Sequence, residues 1–101
     1  MAGVGKLLKQ AQKMQRGIAE AQEKLAAERL EISHGGGAIR ITVNGHGAVI
    51  ALNLDANFLK EDKVFVETAL VAALQEASEK AKALHEATMS KATAGFQLPG
   101  F

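Results

Sequence analysis

A chain of 101 residues, 48% of them hydrophobic, suits one domain with a modest core. Twelve Lys and Arg against eleven Asp and Glu leave a net charge of +1, so any signal for a polyanion partner has to be local. The absence of cysteine excludes disulfides, thiolate metal sites and a Cys nucleophile, and the longest wholly apolar run, Ala69 to Leu74, is far short of the ~18 residues of a membrane span; the chain reads as soluble and intracellular.

From the N-terminus, Val4, Leu7, Ala11, Met14, Ile18, Ala21 and Leu25 recur at alternating steps of three and four, the pattern of a heptad seam. No proline interrupts it, so the spacing predicts one helix over about residues 4–30, with Gly17 its weak point. The composition changes at Gly35-Gly36-Gly37. Leu30 to His34 reads as a strand before this run, and the alternation Ile39, Ile41, Val43 as a strand after it, with Arg40 and Thr42 on the opposite face. Asn44-Gly45-His46-Gly47 has turn chemistry, and Ile50, Leu52 and Leu54 alternate in a further strand, closing a hairpin within a small antiparallel sheet over residues 31–54. Asp55 to Asp62 reads as a turn with room for one helical turn. Val66, Leu70, Ala73, Ala77, Ala81, Leu84 and Thr88 then restore helical spacing over about 62–93, Gly95 is a helix stop, and residues 94–101 form a tail.

One α+β domain over residues 1–101 follows, in the order helix, sheet, helix. A helix of about 27 residues is ~40 Å long, whereas a compact domain of this size is nearer ~34 Å across. The helices should overhang a thin sheet, and overhanging apolar seams need a partner, so a homodimer is expected.

At ~100° per residue, Lys6, Lys9, Lys13 and Arg16 fall within an arc of roughly 80° facing away from the Leu7 and Ile18 seam. No acidic residue precedes Glu20. This half-helix therefore carries four positive charges, a stripe able to track nucleic-acid phosphates, or else a plain solvated face. The last helix has no such stripe, because Lys80 and Lys82 project to opposite sides; Lys80 and Lys91 share a line that Glu76 approaches. The triple glycine enters a strand and lacks the Lys and Ser or Thr of a phosphate loop. His34, His46 and His85 are dispersed, reading as two loop residues and one on a helix surface rather than a metal site, and no nucleophile–base pair is apparent around Ser33, Ser78 or Ser90. Neither an enzyme nor a cofactor is expected.

The stretch Leu7-Leu8-Lys9-Gln10-Ala11-Gln12-Lys13-Met14-Gln15 resembles the opening of the YbaB/EbfC family of nucleoid-associated proteins, and Gly36-Gly37 with Ile39-Arg40-Ile41-Thr42-Val43-Asn44-Gly45 resembles its central hairpin. Leu52-Asn53-Leu54-Asp55, the Ala-rich stretch Ala69 to Ala77 and Leu98-Pro99-Gly100 follow in the family's order. The resemblance implies an α-β-β-β-α subunit, an intimate homodimer with helices projecting like tweezer arms, and binding of double-stranded DNA in the cytoplasmic nucleoid, with possible roles in nucleoid organisation and gene regulation. It implies no catalysis, cofactor or small-molecule substrate. Carried onto matching segments, its DNA contacts fall on Lys6, Lys9, Lys13 and Arg16, with Lys80, Lys82 and Lys91 as secondary candidates; Gln75-Glu76 stands where relatives often have Asn-Asp. Two other functions compete: a helix-docking protein-interaction module without DNA binding, and a first helix lying on an anionic membrane, which its lack of Trp and Phe disfavours.

Overall fold

A computed structural model describes residues 2–94, in the order α1 (Ala2–Ala27), β1 (Leu30–His34), β2 (Ile39–Val43), β3 (Val49–Leu54), a 3-10 turn (Phe58–Lys60) and α2 (Lys63–Thr93). The α-β-β-β-α order and the antiparallel sheet agree with the sequence reading. The first helix stops at Ala27 rather than near residue 30, because Leu30 is already paired with Val43 as the first residue of β1. Gly95 and the Leu98-Pro99-Gly100 segment lie outside the described residues.

The sheet runs β1-β2-β3. Alternation puts Ile32, Ile39, Ile41 and Val43 on one face, all buried, and Arg40 and Thr42 on the other. Three successive glycines at positive φ, Gly35, Gly36 and Gly37, turn the chain between β1 and β2, a conformation that side chains with a Cβ rarely adopt. At the second turn Asn44 Oδ1 accepts from the backbone N–H groups of His46 and Ala48, an Asx turn that closes the hairpin.

The third strand departs from simple alternation. Leu54 and Leu52 stand opposite Ile39 and Ile41, but a bulge makes Val49, not Ile50, the partner of Val43. Ile50 is the extra residue, so the regular Ile50, Leu52, Leu54 stripe read from the sequence is replaced by Val49, Leu52 and Leu54.

Helix α2 covers β1 and β2 with a ridge of small residues, Ala73, Ala77 and Ala81, that lets backbone and sheet approach closely. Phe58, carried by the 3-10 turn, closes one end of this core. The layer stops short of β3, where Val49, Ile50 and Leu52 are exposed although two of them share the apolar face with buried residues. Val64, Phe65, Val71 and Leu74 of α2 are exposed as well.

Beyond the sheet, α2 runs antiparallel to α1. A Cβ built on Gly17 would lie 3.8 Å from the Ala92 carbonyl oxygen, while His46 bridges the level of Gln22, whose carbonyl it reaches at 3.0 Å, to that of His85, whose ring centroid is 5.8 Å from its own. As α1 advances from 17 to 22, α2 recedes from 92 to 85. The seam read over the whole first helix is therefore split. Met14, Ile18, Ala21 and Leu25 pack as predicted, whereas Val4, Leu7 and Ala11 pass beyond the end of α2 into solvent. The N-terminal half of α1 is a free arm of about 20 Å at 1.5 Å per residue. This overhang gives extents of 71 × 25 × 17 Å and a radius of gyration of 19.8 Å, against ~13 Å for a compact chain of this length.

Candidate nucleic-acid interface

Lys6, Lys9 and Lys13 lie on the free arm and Arg16 at its base, beside Gly17 where α2 begins to pack, and all four are exposed. A continuous helix fixes their angular spread, and among the described residues no neighbouring element covers them. Among the described residues none of the four takes part in an ion pair. Their charge is available over a length of ten residues, about 15 Å, comparable with the spacing of several phosphates along a duplex at ~3.4 Å per strand. The first acidic residues, Glu20 and Glu23, begin where α2 begins to cover α1, so the positive arm ends where the packed body starts.

The secondary candidates are differently placed. Lys80 Nζ lies 3.3 Å from Glu76 Oε1, so its charge is matched within its own helix. Glu76 is also reached by His34, whose Nδ1 donates across 3.5 Å to Oε2. The hydrogen bonds from His34 and Lys80 together hold the Glu76 carboxyl below its ordinary range, against a smaller opposing effect of desolvation. Lys82 is exposed beside a cleft lined also by His46, Ser78, His85 and Glu86, and Lys91 is exposed in the last turn of α2. The structure does not gather Lys80 and Lys82 into one surface with the first-helix stripe.

The histidines correct the sequence reading in part. His34 ends β1, as the strand reading of Leu30 to His34 has it rather than the loop reading, and His46 and His85, far apart in sequence, meet across the hairpin and α2. Because the Gln22 carbonyl can only accept, His46 carries its proton on Nε2 and ties the hairpin turn to α1. Among the described residues no group of three or more His, Asp or Glu is placed to hold a metal ion. An apolar groove of about 560 Å³ lies between Phe58, Phe65, Ala69 and Ala72 and the end of the β1–β2 hairpin. No described helix is long and apolar enough to cross a membrane.

Residues 1–96 match the YbaB/EbfC DNA-binding family. A nucleoid-associated protein of Anaeromyxobacter dehalogenans is 38% identical over 95 residues, covering 93% of this chain and 92% of that one. A nucleoid-associated protein of another Anaeromyxobacter species is 37% identical over the same shares. Among solved structures, a crystal structure of an uncharacterized protein from Helicobacter pylori is similar, with a TM-score of 0.70 and 25% identity over 96% of this chain and 97% of that one.

Proposed function

The chain belongs to the YbaB/EbfC DNA-binding family, and on that premise we propose that it binds double-stranded DNA as a homodimer in the nucleoid, gripping the phosphate backbone with Lys6, Lys9, Lys13 and Arg16. The observation that carries this reading is the placement of four exposed cations, with no acidic residue among them and, among the described residues, no ion-pair partner, on the N-terminal part of α1 that projects past the end of α2 and at its base. A solvated charge run needs no such segregation. The stripe offers no aromatic residue for stacking, and long flexible cations favour phosphate over base edges, so affinity should depend strongly on salt and weakly on sequence. Lys91 adds to the contact surface; Lys80 and Lys82 contribute little, the first because Glu76 neutralises it. The consequence would be DNA organisation and broad rather than site-specific gene regulation, with no catalytic step.

The dimer uses the apolar face that α2 leaves open. Val49, Ile50 and Leu52 on the edge strand β3 are exposed, and so are Val71 and Leu74 on α2, more large apolar side chains than a monomer commonly leaves in water. A second copy covers it and doubles the number of basic arms. Mobility-shift titration of random and defined duplexes at several salt concentrations tests the reading. Comparable affinities that fall steeply with salt are expected; binding insensitive to salt, or none at all, would return the arm to the protein-docking function.

A further inference from the structure

The free arm has a second face. Val4, Leu7 and Leu8 are 58–61% exposed, and with exposed Ala11 they form an apolar strip centred about 180° from the basic stripe at 100° per residue. DNA held by the lysines leaves this strip in water. We infer that it pairs antiparallel with the same strip of a second copy, and that the pair bridges two DNA duplexes; the bridging, though not the pairing, rests on the proposed DNA binding.

Three observations select a second copy as the occupant. The strip continues the seam that α1 already shares with α2, since Ala11, Leu7 and Val4 extend the line of Met14, Ile18, Ala21 and Leu25 past the end of α2. A helix is therefore the shape that prolongs the packing. The length also matches, because two arms of this length laid antiparallel fill each other's open seam, placing Val4 beside Ala11 and Leu7 beside Leu8, with each arm running toward the end of the other copy's α2. Finally, the borders of the strip are uncharged: Gly3 and Gln10 flank one side and Gly5 and Gln12 the other. Two identical, positively charged arms can meet along this face without bringing cations together. A bilayer would select a different helix, richer in Leu and carrying Trp or Phe.

The geometry has a functional result. Each stripe faces away from the contact, so the pair shows four cations on each of two opposite sides. One duplex cannot reach both sides of a helix pair about 20 Å thick, whereas two duplexes can each take one. With only four side chains from each copy the contact falls below the ~1,200 Å² of stable interfaces, so it forms chiefly where DNA concentrates the arms.

The chain has no cysteine, so single cysteines report pairing cleanly. Leu8→Cys should cross-link to a second copy with a short bis-maleimide in the presence of DNA, while Lys9→Cys, on the opposite side, should not. The cross-link should persist when Leu52→Arg disables the proposed β3 face. In a pull-down of free duplex by immobilised duplex, Leu7→Gln with Leu8→Gln should reduce capture by about tenfold through loss of effective concentration, with single-duplex mobility shifts unchanged. Equal cross-linking at positions 8 and 9, or undiminished capture by the double variant, would overturn the pairing. Binding of phosphatidylglycerol vesicles without a cross-link at position 8 would overturn it in favour of lipid. A wild-type protein that shifts no duplex would remove the bridging, and the cross-link would still decide the pairing.

Discussion

The backbone N–H of Gly45 donates to the carbonyl of Leu25 at 2.8 Å, and a Cβ built on Gly45 would lie 2.8 Å from that oxygen and 2.9 Å from the Leu25 Cα. The hairpin turn is thus clamped against the last turns of α1, with Leu25 fully buried beneath it. His46, the next residue, adds the bond to Gln22. The attitude of the arm relative to the sheet is set at this joint.

Gly45→Ala should therefore be strongly destabilising despite its small size. Besides the Leu25 Cδ2 at 2.5 Å, the clashing carbonyl oxygen and Cα are backbone and cannot rotate away, so hairpin and helix must separate, weakening the Gly45 to Leu25 bond. A loss of about 1–3 kcal/mol is expected, or roughly 5–20 °C in melting temperature for a domain of this size. Thermal unfolding followed by circular dichroism checks it. An unchanged midpoint would mean that the turn is not held against the helix in solution.

The open face of β3 predicts a variant with the opposite character. Leu52 is 51% exposed in the single chain, so Leu52→Arg should cost a monomer little, yet at a dimer interface it would bury a charge. Light scattering should show the mass fall from about twice 10.6 kDa to the chain mass. Ala51→Arg, one residue away on the polar sheet face, should leave the dimer intact. A Leu52→Arg protein that stays dimeric would place the interface elsewhere.

Most of the fold was legible because its elements are locally encoded. The step of three and four in α1, the alternation of Ile39, Ile41 and Val43, and the run of small residues in α2 are properties of neighbouring positions. What could not be read depends on where elements meet. The same seam is buried at Ile18 and Leu25 yet open at Val4 and Leu7 only because α2 ends beside Gly17. The bulge at Ile50 and the meeting of His46 with His85 are likewise tertiary. The basic stripe was visible as an angular pattern, since four charges on one helix need no partner to define their face. Its isolation from Glu76 and the other acidic groups of α2 was not.

Glu76 links stability to pH. Its carboxyl is held below the ordinary range by bonds from His34 and Lys80, so the folded state binds the Glu76 proton less readily than the unfolded chain. The stabilising contribution is complete at neutral pH and is lost as pH falls below the ordinary glutamate range and through the lowered folded pKa. Because Glu76 is well solvated the effect should be modest. Urea midpoints at pH 7 and pH 3.5 should converge more closely for Glu76→Gln than for the wild type. An identical pH response in both proteins would mean that the contacts to His34 and Lys80 do not persist in solution.

Four cations per arm, and eight in a dimer, make a quantitative prediction for DNA. If about half meet phosphates at once, the slope of log K against log salt should be roughly −0.9 times four, or about −3.6, a loss of about a hundredfold between 50 and 200 mM. Converting Lys9, Lys13 and Arg16 together to Gln keeps good helix formers on an exposed surface and leaves Met14 and Ile18 packed, so fold and dimer should survive while binding weakens on every sequence. The salt slope should flatten in the same variant, because fewer counterions are released. Lys60→Gln with Lys63→Gln provides the control: both residues are exposed at the other end of the molecule, on the 3-10 turn and the start of α2. Removing them lowers net charge without touching the arm and should change affinity far less. Equal weakening by the two sets would show that overall charge drives binding, and a triple variant with wild-type affinity and slope would move the DNA contact off the first helix.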